Sequence, residues 1–96
     1  MKLNAYAIYD MAAVAYMRPF FLQTDAQAER MFTDLAIDAD HPVGQHPGDY
    51  SLIRIGSFND SNGQFEDASN ETVCTGLEAV ARSRAIEPTS NYGGTA

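Results

Sequence analysis

The sequence predicts a small α+β domain, with one helix packed on an antiparallel sheet and a further helix towards the C-terminus. Two strand-like segments stand on each side of one strongly amphipathic helix, giving the order β-β-α-β-β. The two segments before the helix are close enough to pair as a hairpin, and an Asn-Gly turn joins the two after it. One helix over one antiparallel sheet buries the apolar surface of both.

The first two strands are predicted at residues 3–10 and 14–22. Residues 3–10 alternate loosely between apolar and polar types, which is typical of a half-buried strand. The second strand contains Pro19, which has no backbone N–H to donate to a neighbour. We therefore expect this part of the second strand at a sheet edge or at a bulge.

The amphipathic helix is predicted from residue 25 to about residue 37. Thr24 is a good N-cap, and Gln27 can complete a capping box with it. Apolar residues then recur at helical spacing and form one stripe that can face a sheet: Ala28, Met31, Phe32 and Leu35. Residues 38–49 contain two Pro and two Gly, so we predict a loop without regular structure there.

The second half of the sheet is predicted at residues 50–58 and 64–66, a third strand and a short fourth strand on an edge. Residues 60–63 read Asp-Ser-Asn-Gly between them, and Asn-Gly is a strong hairpin signal. Apolar positions at helical spacing favour a second helix over residues 72–86, although Gly76 weakens it. That helix could pack on its own domain or dock on a partner subunit.

These elements divide the chain into three parts. Residues 1–67 form the α+β core domain, residues 68–87 form a C-terminal helix or an oligomerisation arm, and residues 88–96 form a flexible tail rich in small and polar residues. Because 96 residues provide only a small core, we expect a homo-oligomer that buries additional surface.

Composition restricts the function classes. The net charge is −7, and residues 31–81 contain nine acids against one base, Arg54, so nucleic-acid binding would need a local basic patch. Cys74 is the only cysteine, which suits a reducing compartment. No signal-peptide pattern and no apolar run of about 20 residues are present, so we expect a soluble intracellular protein without membrane contact.

The sequence offers no convincing catalytic or metal-binding motif. His41 and His46 lie near several acids, but their spacing does not match a zinc site and both precede proline. Cys74 has no histidine near it in sequence, and no nucleophile motif is present. We therefore predict that the protein is not an enzyme and needs neither a metal nor a cofactor.

Aromatic and basic residues on the predicted strands form the candidate site. With a period of two, Tyr16, Arg18 and Phe20 share one face of the second strand. Lys2 and Arg54 on other strands could add positive charge. Exposed aromatics interleaved with arginine are typical of surfaces that hold single-stranded nucleic acid. The alternative, which physical reasoning alone favours, is that the aromatics form the core and the stem of Arg18 covers them.

Five stretches taken together resemble the small nonstructural protein of gokushoviruses, which are tailless single-stranded DNA bacteriophages of the Microviridae. The order and spacing fit over residues 2–66, and the stretches are AIYD at 7–10, RPFF at 18–21, AQAERMF at 26–32, HPGDYSL at 46–52 and IGSF at 55–58. The resemblance implies a DNA-binding protein of the host cytoplasm. Such a protein would help the phage move from duplex replication to synthesis and packaging of single-stranded genomes.

Two functional hypotheses follow. In the first, the protein binds single-stranded DNA: Lys2, Arg18 and Arg54 neutralise phosphates, while Tyr16 and Phe20 stack on bases. In the second, it is an adaptor that engages phage or host replication proteins, or capsid proteins, without touching DNA. Convergence of the two arginines on one exposed patch beside solvent-facing aromatics would favour DNA binding. Scattered arginines and buried rings would favour the adaptor.

Overall fold

The structure, a computed structural model, describes residues 1–86. Within these residues the order is β1 (Lys2–Asp10), β2 (Ala15–Tyr16), β3 (Phe20–Leu22), α1 (Asp25–Ala36), α2 (Pro42–Gln45), β4 (Tyr50–Asn59), β5 (Gln64–Thr75) and α3 (Gly76–Ile86). A 3-10 turn at Pro47–Asp49 precedes β4. The predicted α+β class is confirmed: helices pack on an open antiparallel sheet, and a further helix, α3, follows the last strand.

The sheet has the strand order β2-β1-β4-β5, and β3 also pairs with β1. All of these pairings are antiparallel. The two long strands β1 and β4 therefore form the centre of the sheet, and β5 lies at one edge as predicted for the fourth strand. The predicted Asn-Gly hairpin joins β4 to β5, with Gly63 at φ 76°, a left-handed conformation that favours glycine.

The predicted second strand is interrupted, forming β2 and β3 instead of one segment. Tyr16 pairs with Tyr9 and Phe20 pairs with Tyr6. Phe20 lies four residues after Tyr16, whereas their partners in β1, Tyr6 and Tyr9, are only three residues apart. The segment between β2 and β3 therefore contains one extra residue. Pro19 lies in this interruption, as expected of a residue that cannot donate to a ladder.

The core lies between the sheet and the helices. Phe32 of α1, Tyr6 of β1 and Leu52 of β4 are fully buried there. The start of α1 is as predicted, because Thr24 accepts a hydrogen bond from the Gln27 amide at 3.2 Å and the Gln27 side chain accepts in return from the Thr24 amide. This capping box fixes the point at which the chain leaves the sheet.

The prediction of an irregular segment at residues 38–49 is wrong. A short helix, α2, begins at Pro42, and the 3-10 turn begins at Pro47. Proline at the first helical position costs nothing, because its missing N–H would have no partner in the helix. His41 caps α2 by accepting a hydrogen bond from the Val43 amide at its Nδ1, 3.1 Å away. The prolines therefore start these turns rather than prevent them.

The fourth strand is much longer than predicted. It does not end near Glu66 but continues to Thr75. The polar run at residues 68–71 conceals it, because three residues of β5 there face Ile55 of β4, between the pairs Gly56–Asp67 and Arg54–Glu71. Asn70 adopts a φ of 52° in this bulge. A bulged edge strand does not alternate regularly, so the period-two signal is lost.

The C-terminal helix begins later than predicted, at Gly76 rather than at Thr72. Thr75 is its cap: its hydroxyl accepts from the Glu78 amide at 3.1 Å, and the Glu78 carboxylate accepts from the Thr75 amide at 2.8 Å. Gly76 is required by close packing, since a Cβ there would lie 1.9 Å from the carbonyl oxygen of Pro47. Buried Ala79 places α3 on the same core as α1. The predicted tail at 88–96 lies outside the described residues.

Candidate nucleic-acid interface

The two faces of the sheet differ sharply. Tyr6, Ile8 and Leu52 point to one face, where they pack in a core with α1 and α3. We call these two helices the helix layer. Alternate residues of β1, including Ala5 and Ala7, point to the opposite face. No helix within residues 1–86 packs on this second face, which we call the open face.

Half of the ten aromatic residues lie on the open face. Cross-strand register brings them together in two groups, because paired residues project to the same side. Tyr9 and Tyr16 contact each other with ring centroids 4.8 Å apart. Phe21 lies 5.5 Å from Phe58 and 6.4 Å from Phe65, again between ring centroids. The exposed fractions are 50% for Tyr16, 38% for Phe21 and 47% for Phe65.

Small residues on the open face leave room for these rings. Ala5, Ala7 and Gly56 are buried on this face. A Cβ on Gly56 would lie 2.7 Å from the ring of Phe65 and 2.4 Å from the carbonyl oxygen of Glu66. The glycine is therefore required by the close approach of β5 and its aromatic side chain.

A groove of about 340 Å³ opens on this face. Ala7 and Ile55 contribute to its apolar floor, and the rings of Tyr16 and Phe65 line its walls. The bulge of β5 adds two polar residues to the lining, Asp67 and Asn70, and the Asn70 Nδ2 lies 3.4 Å from the Tyr16 hydroxyl. The groove thus combines aromatic surfaces with an amide and a carboxylate.

One predicted site residue lines this groove, and a second lies in the segment that borders it. Tyr16 forms one of its walls, and Met17 and Pro19 on either side of Arg18 also line it. Arg18 itself is exposed, and among residues 1–86 it makes no ion pair within 4.0 Å. Its guanidinium is therefore exposed and not committed to a carboxylate of this part of the chain.

Phe20 does not share a face with Tyr16, contrary to the prediction from a period of two. The extra residue between β2 and β3 reverses the alternation, so Phe20 packs on the helix-layer side. There it stacks on Tyr6, with ring centroids 5.8 Å apart. The neighbouring Phe21 takes the exposed position instead.

Arg54 is on the helix-layer side and is already paired. Its guanidinium donates to the carboxylates of Asp25 and Glu71, and the hydrogen bond to Asp25 is the main reason that its pKa is raised. Asp25 also accepts a 2.6 Å hydrogen bond from Tyr6. That bond, followed by the contact with Arg54, lowers the pKa of Asp25. Arg18 and Arg54 do not converge on one patch.

Lys2 is likewise paired, with its Nζ 3.0 Å from Glu66. The hydrogen bond from Lys2 lowers the pKa of this carboxyl group. Because both groups are largely exposed, the pair contributes little to stability. It nevertheless leaves Lys2 with a compensated charge, so Arg18 is the one member of the predicted basic set without a carboxylate partner among residues 1–86.

The predicted site omitted two exposed rings of the open face, Phe65 in the groove and Phe21 next to Phe65. Phe65 follows the Asn-Gly turn and pairs with Phe58, a pairing that the hairpin alone predicts once the turn is placed. Phe21 was hidden by the interruption at Pro19. Asp67 and Asn70 gave no signal, because the bulge that brings them to the groove has no sequence pattern of its own.

Metal-ligand groups and the single cysteine give no second candidate site within residues 1–86. Within residues 1–86 no three or more His, Cys, Asp or Glu side chains are grouped so that they could hold a metal ion. Cys74 is buried, and burial raises the pKa of its thiol, which disfavours the reactive thiolate. None of the helices in this part of the chain has the length and apolar character needed to cross a membrane.

Comparison with known proteins identifies a phage family. A family model described as "Phage ORF5 protein" matches residues 3–79, which include the start of α3 and all of the sheet except Lys2. No curated protein and no solved structure matches the chain significantly. Because the family model covers most of the sequence, the chain belongs to the Phage ORF5 protein family.

Proposed function

We propose that this phage protein binds single-stranded DNA on the open face of its sheet, as a non-enzymatic accessory protein in genome synthesis or packaging. The observation that carries the proposal is the exposure of Tyr16, Phe21 and Phe65, at 38–50%, on a sheet face that no helix in residues 1–86 covers. The resemblance to gokushovirus nonstructural proteins supports the same role.

Stacking supplies the attraction in this proposal. Each base that stacks on an aromatic ring gains about 1–3 kcal/mol, and the gain depends little on the identity of the base. Two aromatic groups on one sheet could hold successive bases of an extended strand. Because the faces of the bases are accessible in single-stranded DNA but stacked inside a duplex, the same surface would bind duplex DNA more weakly.

Electrostatic attraction contributes little to the proposed binding, so the affinity should depend only weakly on salt concentration. All six lysines and arginines fall within residues 1–86. Three are paired with carboxylates: Lys2, Arg54 and Arg82. Arg30 and Arg84 belong to the helix layer, which leaves Arg18 beside the groove. If one phosphate is neutralised, the slope of log K against log salt is about −0.7 for single strands, far shallower than for a basic DNA-binding protein.

Fluorescence anisotropy with a labelled twelve-thymine oligonucleotide, at two salt concentrations, tests the proposal. We expect Arg18→Ala to weaken binding several-fold at low salt and to flatten the salt dependence. Arg30→Ala is the matched control, because Arg30 is also exposed and without an ion pair among residues 1–86 but lies on the helix layer. Equal effects of the two substitutions would contradict binding on the open face.

Tyr16 tests the stacking contribution. Tyr16→Ala should weaken binding about tenfold, the loss expected from one stacked base, whereas Tyr16→Phe should retain most of the affinity because the ring remains. Tyr16 is half exposed, so neither change should unfold the protein, which a thermal melt would verify. Equal affinities for both variants would remove the ring from the proposed interface.

The adaptor hypothesis is the second candidate, and one observation favours it. Arg54 is neutralised by Asp25 and Glu71 on the face opposite to the groove, so the arginines are scattered rather than convergent. An exposed aromatic face with little positive charge also suits a protein partner. Absence of oligonucleotide binding at tens of micromolar protein in low salt would favour the adaptor hypothesis over DNA binding.

A further inference from the structure

The groove on the open face has a chemical character beyond general stacking. A nucleobase is flat and apolar on its faces and polar at its edge. The groove offers the same arrangement in reverse, with the rings of Tyr16 and Phe65 as apolar walls and the side chains of Asp67 and Asn70 as polar lining. A volume of about 340 Å³ is sufficient for one base with part of its sugar.

The polar lining is produced by the bulge in β5. Between the pairs Gly56–Asp67 and Arg54–Glu71, residues 68–70 face only Ile55. This excess of chain, with Asn70 at φ 52°, lets β5 curl over the open face. The Asn70 Nδ2 consequently comes within 3.4 Å of the Tyr16 hydroxyl, although Tyr16 belongs to the opposite edge of the sheet. Asp67 borders the same groove.

A carboxylate selects among the four bases by its hydrogen-bonding capacity. An ionised carboxylate only accepts hydrogen bonds, and it has two oxygens with which to do so. Guanine presents two adjacent donors at its Watson–Crick edge, N1–H and the N2 amino group. Adenine and cytosine present one amino group beside an acceptor nitrogen, and thymine presents one N–H between two carbonyls. Only guanine matches both carboxylate oxygens.

We propose that the groove is a guanine-selective base pocket, in which the Asp67 carboxylate accepts hydrogen bonds from guanine N1–H and N2–H while Tyr16 and Phe65 hold the faces of the base. This inference rests on the proposed binding of single-stranded DNA to the same face. Asn70 provides an amide donor for guanine O6. In this arrangement the DNA phosphates pass on the Arg18 side of the groove, so that they are not placed against the like charge of Asp67.

The test compares three labelled twelve-residue oligonucleotides by anisotropy: thymine only, thymine with one central guanine, and thymine with one central adenine. We expect the guanine oligonucleotide to bind about tenfold more tightly than the other two, as for a bidentate contact to a base edge. Asp67→Asn should abolish this preference, because an amide offers one acceptor and one donor. Asp34→Asn, the same loss of charge at an exposed position of α1, should preserve it.

The outcomes separate the two proposals. Equal binding of all three oligonucleotides would overturn the guanine pocket while leaving single-stranded DNA binding in place. A guanine preference that survives in Asp67→Asn would also overturn it, because the carboxylate would not be the reader. Absence of binding to every oligonucleotide would remove the proposed function and this inference together.

Discussion

At the scale of single residues, Asp25 at the start of α1 is bonded to side chains from two strands. Its carboxylate accepts from the hydroxyl of fully buried Tyr6 and from Arg54, and Arg54 continues to Glu71 on β5. The network therefore joins β1, α1, β4 and β5 beside the core. Burial, followed by the bond to Asp25, raises the pKa of Tyr6 to about 12, so the phenol remains a donor well into the alkaline range.

Tyr6→Phe should lower the free energy of unfolding by about 1–2 kcal/mol at neutral pH, because the ring is retained and a hydrogen bond to a charged acceptor is lost. Urea denaturation measures the difference. Tyr9→Phe is the control: its hydroxyl makes no side-chain hydrogen bond within residues 1–86, and it should change stability by less than about 0.5 kcal/mol.

The effect of Tyr6→Phe should depend on pH. Tyr6 lowers the pKa of Asp25 below its ordinary value of 3.8, so its contribution is present above that pH and is lost as the pH falls through the lower folded-state value. The difference between wild type and variant should therefore narrow between pH 5 and the acid limit of the folded state. A constant difference over this range would mean that the hydroxyl does not stabilise the ionised carboxylate.

Of the five predicted site residues, Tyr16 and Arg18 are exposed, whereas Lys2 and Arg54 are paired with carboxylates and Phe20 packs on Tyr6. Arg54 is neutralised by two partners distant in sequence, Asp25 and Glu71, and such pairing depends on strand register, which local sequence does not define. Phe20 changed face because of one inserted residue. Contacts across a sheet are long-range properties, and local patterns do not encode them.

At the scale of elements, bulges control the chemistry of the open face. The extra residue between β2 and β3 exposes Phe21 rather than Phe20, and the bulge of β5 carries Asp67 and Asn70 to the groove. The first and third strands, the first helix and the Asn-Gly turn were predictable from periodicity and capping. The bulges were not, because they break the period-two signal on which strand prediction depends.

Gly56→Ala tests the close approach of β5 to β4. The new methyl group would lie 2.4 Å from a backbone oxygen and 2.7 Å from the ring of Phe65, so one strand must shift. We expect a loss of about 1–3 kcal/mol in the free energy of unfolding. Gly48→Ala is the matched control, since its methyl group would meet nothing closer than 3.8 Å. Similar effects of both substitutions on urea denaturation would contradict the packing described.

At the scale of the whole molecule, the two faces of the sheet differ in what covers them. One face of the sheet packs in a core with the helix layer, and the other exposes aromatic rings that stability alone does not require to be exposed. The fold class was predictable because each element carried its own signal. Which face of the sheet is buried and which is exposed was not predictable, since it depends on which face the helices cover.

The net charge of −7 is compatible with this arrangement. Most acids lie away from the groove or in ion pairs, and recognition by stacking does not need a strongly positive surface. The protein should accordingly bind single-stranded DNA with modest affinity and shallow salt dependence. It should bind duplex of the same length far more weakly, because paired bases cannot reach the rings.

The most direct test is to map the interface by NMR, by titrating ¹⁵N-labelled protein with the twelve-thymine oligonucleotide and following the backbone amides. We predict that the largest shifts occur at Tyr16, Phe21 and Phe65 on the open face, while amides around Arg30 and Arg84 on the helix layer stay unchanged. Shifts concentrated on α1 and α3, or none at protein and DNA concentrations in the hundreds of micromolar, would contradict recognition by the aromatic face.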